Sequence, residues 1–463
     1  TPGLGRGFVA GFSETVPGWG SARPGYAWYF GRDSVWTCFA VLAYGDFEKV
    51  RDQLKLFGDY QDISGKIFHE LSLSGVVHHD SADSTPLYIV LMGEYLSTSG
   101  DVKFIHSQWH RLEKAMIFLR KTIKNDNGFI ENSNVGHGWV EFGPLAGSYV
   151  EIYLASCWAE ALRQFAFIAR TLGNEDVSNI CEVESKTIME NIDKEFWNAE
   201  TQFYDAGICI DSNNKTEISI LPAIPILFGH LPFEKSQSVA QKFINDDFSA
   251  PWGVRIMSRK NPGYHGSRYH TGTVWPLFTG WVSLAEYETH LPEAAFQHII
   301  ANYQDYQRRS LGWVDEALHG ETGEPAGVCR HQAWSEAMVC LPIIRGMLGL
   351  KVNAIKNLVT MCPHVPKQWN RLDVSNIRIG QHTLNFKFKK TPSVEQYRFK
   401  WSGSKPLTLE LQPPTLNEID KVKLTVDGEK RDFYVKQFGN CTHLQIPLEL
   451  KDEIVRVSLN YLV

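Results

Sequence analysis

The sequence predicts an all-α toroid of paired helices over residues 1–350, followed by a small antiparallel β domain over residues 351–463. Two patterns carry this reading. From about residue 35 to 350, apolar residues recur at steps of three and four, in stretches separated by Gly-rich or polar connectors. After Leu350 the apolar period falls to two, the spacing of a strand with one buried face. Few strand patterns interrupt the first part, so the helices must bury their stripes against one another.

Taken in order, the first stretch is Ser34–Leu56. Ser84 opens the next helix, with Pro86 in its first turn, where a missing N–H costs nothing. Asp101 is placed to cap a third, whose stripe is Ile105, Trp109, Leu112, Met116 and Leu119, and Asn125-Asp126-Asn127-Gly128 ends it. Further helices are expected over Val150–Leu172, Val177–Trp197, Glu217–Phe228, Glu234–Ile244, Val274–Glu288, Pro292–Gln307 and His331–Leu348. The long loops between them are where functional residues are expected. In the tail, VSNIRIGQHTLNFKFKK, QYRFKWSG, LTLELQ, VKLTVDGEKRDFYV and EIVRVSLNYL alternate apolar and polar residues, and Asp427-Gly428 marks a tight hairpin turn.

Charge divides in the same place. Residues 1–350 hold 28 Lys/Arg against 41 Asp/Glu, and residues 351–463 hold 18 against 11, so the overall −6 conceals an acidic helical part and a basic tail. With no overall basic field, nucleic acid is not an expected partner. No apolar run is long enough for a membrane span. Twelve of the 14 Trp lie in the acidic part, a mixture suited to neutral polyols: carboxylates accept from hydroxyls and indole faces cover the C–H faces of pyranose rings. The eight cysteines are scattered without a C-x-x-C pair and read as free thiols.

Some signatures fail on context. Gly5-Arg6-Gly7-Phe8-Val9-Ala10 fits the dinucleotide pattern but has no preceding strand. His78-His79-Asp80 with Asp83 lacks a second ligand cluster, so no metal is expected there. What remains are acids and aromatics in loops. Trp28-Tyr29-Phe30-Gly31-Arg32-Asp33 sets a guanidinium fork beside an acceptor pair, suited to neighbouring sugar hydroxyls. In Gly136-His137-Gly138-Trp139-Val140-Glu141-Phe142-Gly143, a carboxylate amid Gly, Trp and Phe is expected to be partly desolvated, as a general acid requires. Gly312-Trp313-Val314-Asp315-Glu316-Ala317 offers a general base, with Asp315 and Glu316 as rivals on spacing alone. Two further stretches, from Tyr269-His270 to Trp275-Pro276 and from His331-Gln332 to Trp334-Ser335-Glu336, read as walls of a site.

These segments, with Asp80-Ser81-Ala82-Asp83-Ser84-Thr85-Pro86 and Tyr149-Val150-Glu151-Ile152, occur in an order that resembles the amylo-α-1,6-glucosidase catalytic domain of glycogen debranching enzymes. More loosely, it is similar to glucoamylase. The resemblance spans residues 25–350 and implies an (α/α)6 barrel, with the tail resembling the β-sandwich that follows the barrel in related glycosidases. It implies Glu141 as general acid, where debranching enzymes usually have Asp, and Glu316 as general base. It implies Arg32 and Asp33 as holders of the terminal sugar, with Asp83, Trp275 and Trp334 as further wall residues of that subsite. Trp28, Trp139, His270, Trp313 and Gln332 complete the expected substrate-binding set.

The resulting expectation is an inverting, exo-acting glycoside hydrolase on an α-glucosidic linkage, needing neither metal nor organic cofactor. Its partner is an oligosaccharide or glycoside. Other sugar specificities (mannoside, rhamnoside, trehalose) stay open, as do an epimerase using His270 and His331 and a phosphorylase on the same fold. Debranching enzymes carry a domain before the barrel, whereas this chain starts almost at the first motif, so a missing N-terminal segment or a different substrate is expected.

Overall fold

Eleven α-helices lie among the described residues before Pro342, and two kinds alternate along the chain. Helices α1 (Gly31–Tyr44), α3 (Ser84–Ser99), α5 (Ile152–Thr171), α7 (Ala223–Leu227), α9 (Pro276–Glu288) and α11 (Ala333–Leu341) are largely buried. Helices α2 (Phe47–Asp59), α4 (Val102–Thr122), α6 (Glu175–Phe196), α8 (Phe233–Phe243) and α10 (Pro292–Arg308) bury one face only. The sequences explain the alternation. LYIVLMGEYL in α3 is apolar nearly all round, whereas α2 confines its apolar residues to Phe47, Val50, Leu54, Leu56 and Phe57. Helix α5 packs along α6, and α9 packs against α7, α8, α10 and α11.

The computed structural model describes residues 3–12, 26–132, 136, 138–209, 214–308, 311–326, 329–415, 418–451 and 454–461, so His137 lies outside it. The chain divides into two compact units. One comprises Thr1–Val41, Asp46–Glu94 and Val102–Pro342, the other Leu42–Gly45, Tyr95–Asp101 and Ile343–Val463. Among the described residues, no helix is long and apolar enough to cross a membrane.

Three helices differ from expectation. Ser34–Leu56 is two helices, because Gly45 takes a left-handed φ of 93° and the Asp46 side chain caps the next helix by accepting from the Lys49 amide. Glu217–Phe228 shortens to α7: Ser219 bridges to Met257 and the Ile220 amide donates to the Ile256 carbonyl, so the stretch before Pro222 is spent on extended pairing. His331–Leu348 ends as α11 at Leu341 and continues as a π-helical turn from Pro342, whose missing N–H breaks the α pattern.

The second unit holds two six-stranded sheets. One contains Arg371–Ile379, His382–Thr391, Val394–Ser402, Ile454–Tyr461, Val422–Val426 and Glu429–Arg431 in that order, all antiparallel. Phe386, Phe388, Tyr397, Phe399 and Trp401 are buried on its inner face, alternating with exposed Lys387, Arg398 and Lys400. The other sheet is not purely antiparallel as expected: Leu358–Met361 pairs in parallel with Leu407–Leu411. Three strands of the first sheet intervene between them, a crossover long enough to bring the chain back in the same direction. Asp427 and Gly428 both take positive φ (52° and 89°), the primed hairpin turn the dipeptide predicts.

Candidate active site

Two short strand pairings deliver the first charged residues. Tyr29–Phe30 pairs with Glu70–Leu71, and the chain turns into α1 at Gly31, whose amide donates to the His69 carbonyl at 2.8 Å. A Cβ at Gly31 would lie 2.3 Å from the Phe68 carbonyl oxygen, so only glycine lets the helix begin there. Arg32 and Asp33 thus sit in the first turn of a buried helix, 4% and 5% exposed.

Side by side in sequence, they do not act as one dyad. Arg32 turns to Asp83 just before α3, donating Nε to Oδ2 at 2.5 Å and Nη2 to Oδ1 at 3.2 Å, and Nη2 also reaches the Gly138 carbonyl at 2.5 Å. Asp83 is further held by the Tyr153 hydroxyl at 2.9 Å and by Ser81. Nε and Nη2 of Arg32 are thus engaged with Asp83 and the Gly138 carbonyl inside the fold. Asp33 faces elsewhere and accepts from Gln332 Nε2 at 2.9 Å. Burial pushes the Asp33 carboxyl well above its usual range; Arg32 pulls it down, while Glu316 and Asp83 add to the rise.

Glu316 is held from two sides. It is 2% exposed, accepts from the Tyr269 hydroxyl at 2.5 Å through Oε1, and accepts from the Cys329 amide at 3.2 Å through Oε2. Burial raises it to about 7, against the two donors, and the charge of Glu141 adds to the rise. Asp315 is buried too, and its amide donates to Asp305 Oδ2 at 3.0 Å, which ties its backbone to α10. Of the two rivals that spacing could not separate, Glu316 is the one whose carboxylate meets Tyr269 and feels Glu141.

Glu141 departs from expectation. Its side chain is exposed, not desolvated, because Trp139 and Val140 turn inward at 2% and 3% exposure and leave Glu141 and Phe142 facing outward. Its charge nevertheless acts on Glu316, Tyr269 and Tyr26, so it borders the same cluster.

Beneath these acids lies an aromatic floor. The Trp139 ring meets Trp275 at 5.0 Å, His270 at 5.5 Å, Phe278 at 4.6 Å and Trp334 at 6.0 Å between centroids. Trp275 is fully buried, with Nε1 bonded to Thr273 Oγ1 at 2.8 Å, so it is core rather than wall. His270 lies under Phe142 at 4.3 Å, and burial lowers it to about 3, which keeps the imidazole neutral. Trp139 Nε1, Trp334 Nε1, His270 Nδ1 and Gln332 Oε1 are buried without a hydrogen-bond partner among the described residues. Two expected residues stand apart from this floor: Trp28 donates to Glu70 Oε2 at 3.0 Å, and Trp313, 38% exposed, stacks on His331 at 4.9 Å.

The sequence assigns no role to Glu151, and nothing in the wall stretch that opens at Tyr269 signals that this hydroxyl meets Glu316. The signal for Glu151 was a carboxylate opening the apolar stretch Ile152–Ala155, and it is 1% exposed. Neither the histidines nor the acids of His78-His79-Asp80 and Asp83 converge on a common point: Asp80 pairs with His69 at 2.7 Å and Asp83 with Arg32.

Residues 134–335 match the family model of the mannosylglycerate hydrolase MGH1-like glycoside hydrolase domain. The match does not single out a debranching enzyme. None of the curated proteins matches the chain in sequence. Among solved structures, it is similar to an α-L-rhamnosidase from Dictyoglumus thermophilum (TM-score 0.64, 13% identity, 94% of this chain and 46% of that one). A family 78 rhamnosidase of Bacillus sp. GL1 is also similar (0.62, 16%, 79% and 37%). So is mannosylglycerate hydrolase from Thermus thermophilus (0.56, 13%, 74% and 96%). At these identities the likeness is one of fold, and the chain spans under half the length of the two rhamnosidases.

Proposed function

We propose that the chain is an inverting, exo-acting glycoside hydrolase, with Glu141 as general acid and Glu316 as general base. In this reading the alternating helices of residues 1–350 close into an (α/α)6 toroid, and residues 351–463 form a β-sandwich domain. One observation carries the proposal: Glu316 is a buried carboxylate raised to about 7, oriented by two donors, and bordered by a second, solvent-facing carboxylate. A base near neutrality can take a proton from water at working pH and keeps enough driving force to do so.

The roles follow from the surroundings. The Tyr269 hydroxyl and Cys329 amide fix both oxygens of Glu316, leaving the remaining lone pairs to orient a water. Glu141, on the open side, meets the leaving oxygen of a sugar that enters from solvent. Water then attacks from the face opposite the departing group, and the anomeric centre inverts. Two carboxyls and one water suffice for this reaction. Asp33, Gln332 and the unpaired indole and imidazole nitrogens are the groups proposed to take the hydroxyls of the terminal sugar.

For the sugar, an α-mannoside or α-rhamnoside comes before the α-1,6-glucoside. The family model and two structural relatives bear the names of enzymes for such sugars. For the epimerase alternative His270 makes a poor base, since an imidazole lowered to about 3 abstracts protons poorly. The test is hydrolysis of p-nitrophenyl α-mannoside, α-rhamnoside and α-glucoside, with proton NMR of the first product. Hydrolysis with inversion, lost in Glu316→Gln, is expected. Retention, or activity surviving both Glu141→Gln and Glu316→Gln, overturns the assignment, and a requirement for phosphate points to a phosphorylase.

A further inference from the structure

We infer that Glu151, acting with Arg32, is a positioning residue: the two clamp consecutive backbone groups of the loop that carries Glu141 and thereby hold the general acid in place. The inference rests on the reading of Glu141 given above.

The clamp grips one stretch of backbone by two groups in turn. The Gly138 carbonyl accepts from Arg32 Nη2 at 2.5 Å, and the next amide, that of Trp139, donates to Glu151 Oε2 at 3.3 Å. Each grip is fixed from behind. Arg32 is locked bidentately by Asp83, and Asp83 by Tyr153 and Ser81. Glu151 Oε1 accepts from Asn132 Nδ2 at 2.9 Å. Arg32, Asp83 and Glu151 are 4%, 0% and 1% exposed, so these charge-assisted bonds act away from water, where they are strongest.

Gly138 is what allows it. A Cβ there would stand 1.9 Å from Glu151 Oε2, so any side chain would push the carboxylate off the loop. Below the clamp, the Trp139 indole is wedged into the aromatic floor with the Arg32 guanidinium 5.7 Å from its ring. The backbone is thus pinned two residues before Glu141, whose side chain is exposed. A general acid displaced by about 1 Å loses on the order of 100-fold in rate, so the clamp is expected to act on proton donation and little on sugar binding.

Holding Glu151 there is costly, since burial raises it to about 7 with Asp83 adding to the rise and Arg32 opposing it. Glutamine fills the same space without the charge. Asn132 and Trp139 donate to different oxygens of Glu151, so the amide NH2 of glutamine sets a donor against one of them, which should keep the fold and loosen the grip.

The test compares Glu151→Gln and Glu151→Ala with the wild-type protein on two substrates of whichever sugar the panel above identifies. One is the methyl glycoside, whose leaving group needs a proton from Glu141. The other is the glycosyl fluoride, whose leaving group departs without one. For Glu151→Ala, kcat on the methyl glycoside is expected to fall about 10- to 100-fold with KM changed less than about 3-fold, and the fluoride to lose less than about 3-fold. Glu151→Gln should fall between. Hydrogen–deuterium exchange should quicken in residues 138–142 and not across the other helices. Equal losses on both substrates, or unchanged exchange in 138–142, overturn the clamp. If the wild-type protein hydrolyses nothing in the panel, the functional reading fails, while the exchange comparison still decides whether Glu151 holds the loop.

Discussion

Replacing Glu316 by Gln is expected to abolish hydrolysis and, at alkaline pH, to stabilise the protein. Burial raises this carboxyl from 4.5 to about 7, so the folded protein binds its proton more tightly than the unfolded chain does. Folding therefore takes up a proton between those pH values, and stability falls as pH rises through the window. The cost of the charge is nearly absent below about pH 4.5, accumulates up to about pH 7, and reaches about 3 kcal/mol above that. An amide carries no such cost. It keeps both contacts, accepting from the Cys329 amide while the Tyr269 hydroxyl turns from donor to acceptor. Thermal unfolding followed by circular dichroism at pH 8.5 and pH 5 reads the difference. A gain of about 3–5 °C at pH 8.5 and about 1 °C or less at pH 5 is expected for a unit of this size. A variant no more stable than wild type at pH 8.5, or stabilised equally at both pH values, would show that Glu316 is not the raised carboxyl described here.

Three other outcomes follow from the same geometry. A group titrating near pH 7 should appear in the pH–rate profile of kcat/KM, and the Glu316→Asp variant should move it. Arg32→Lys removes the bidentate hold on Asp83 and the bond to the Gly138 carbonyl, leaving a buried carboxylate poorly paired, and should cost about 3–5 kcal/mol in urea unfolding. Trp313→Ala, by contrast, truncates a partly exposed ring stacked on His331 and should lower stability by less than about 1 kcal/mol in the same assay.

How far the site was readable depended on whether a residue works through its neighbours in sequence or through distant ones. Local chemistry was legible. Asp427-Gly428 makes its primed turn because two adjacent residues tolerate positive φ, and Ser84 begins α3 because the signals for a helix start lie within one turn. Where a distant partner decided the outcome, the sequence pointed the wrong way. Arg32 adjoins Asp33 in the chain, yet the first turn of α1 aims the two side chains apart, and the guanidinium finds Asp83, 51 residues later. Glu141 has apolar neighbours on either side, which suggested desolvation, but burying Trp139 and Val140 turned it outward.

By itself, then, the sequence determined the helical and strand-rich parts, the division of charge between them, and the loops where the acids and indoles gather, since periodicity, composition and turn chemistry act over a few residues. Tertiary structure decided the surroundings of each acid. It gave the Glu316 carboxylate the Tyr269 hydroxyl and Cys329 amide, and it set Arg32 against Asp83 and the Gly138 carbonyl. The physical reason is that a carboxylate's protonation and direction depend on the dielectric and donors within a few ångströms, and long-range packing alone assembles those.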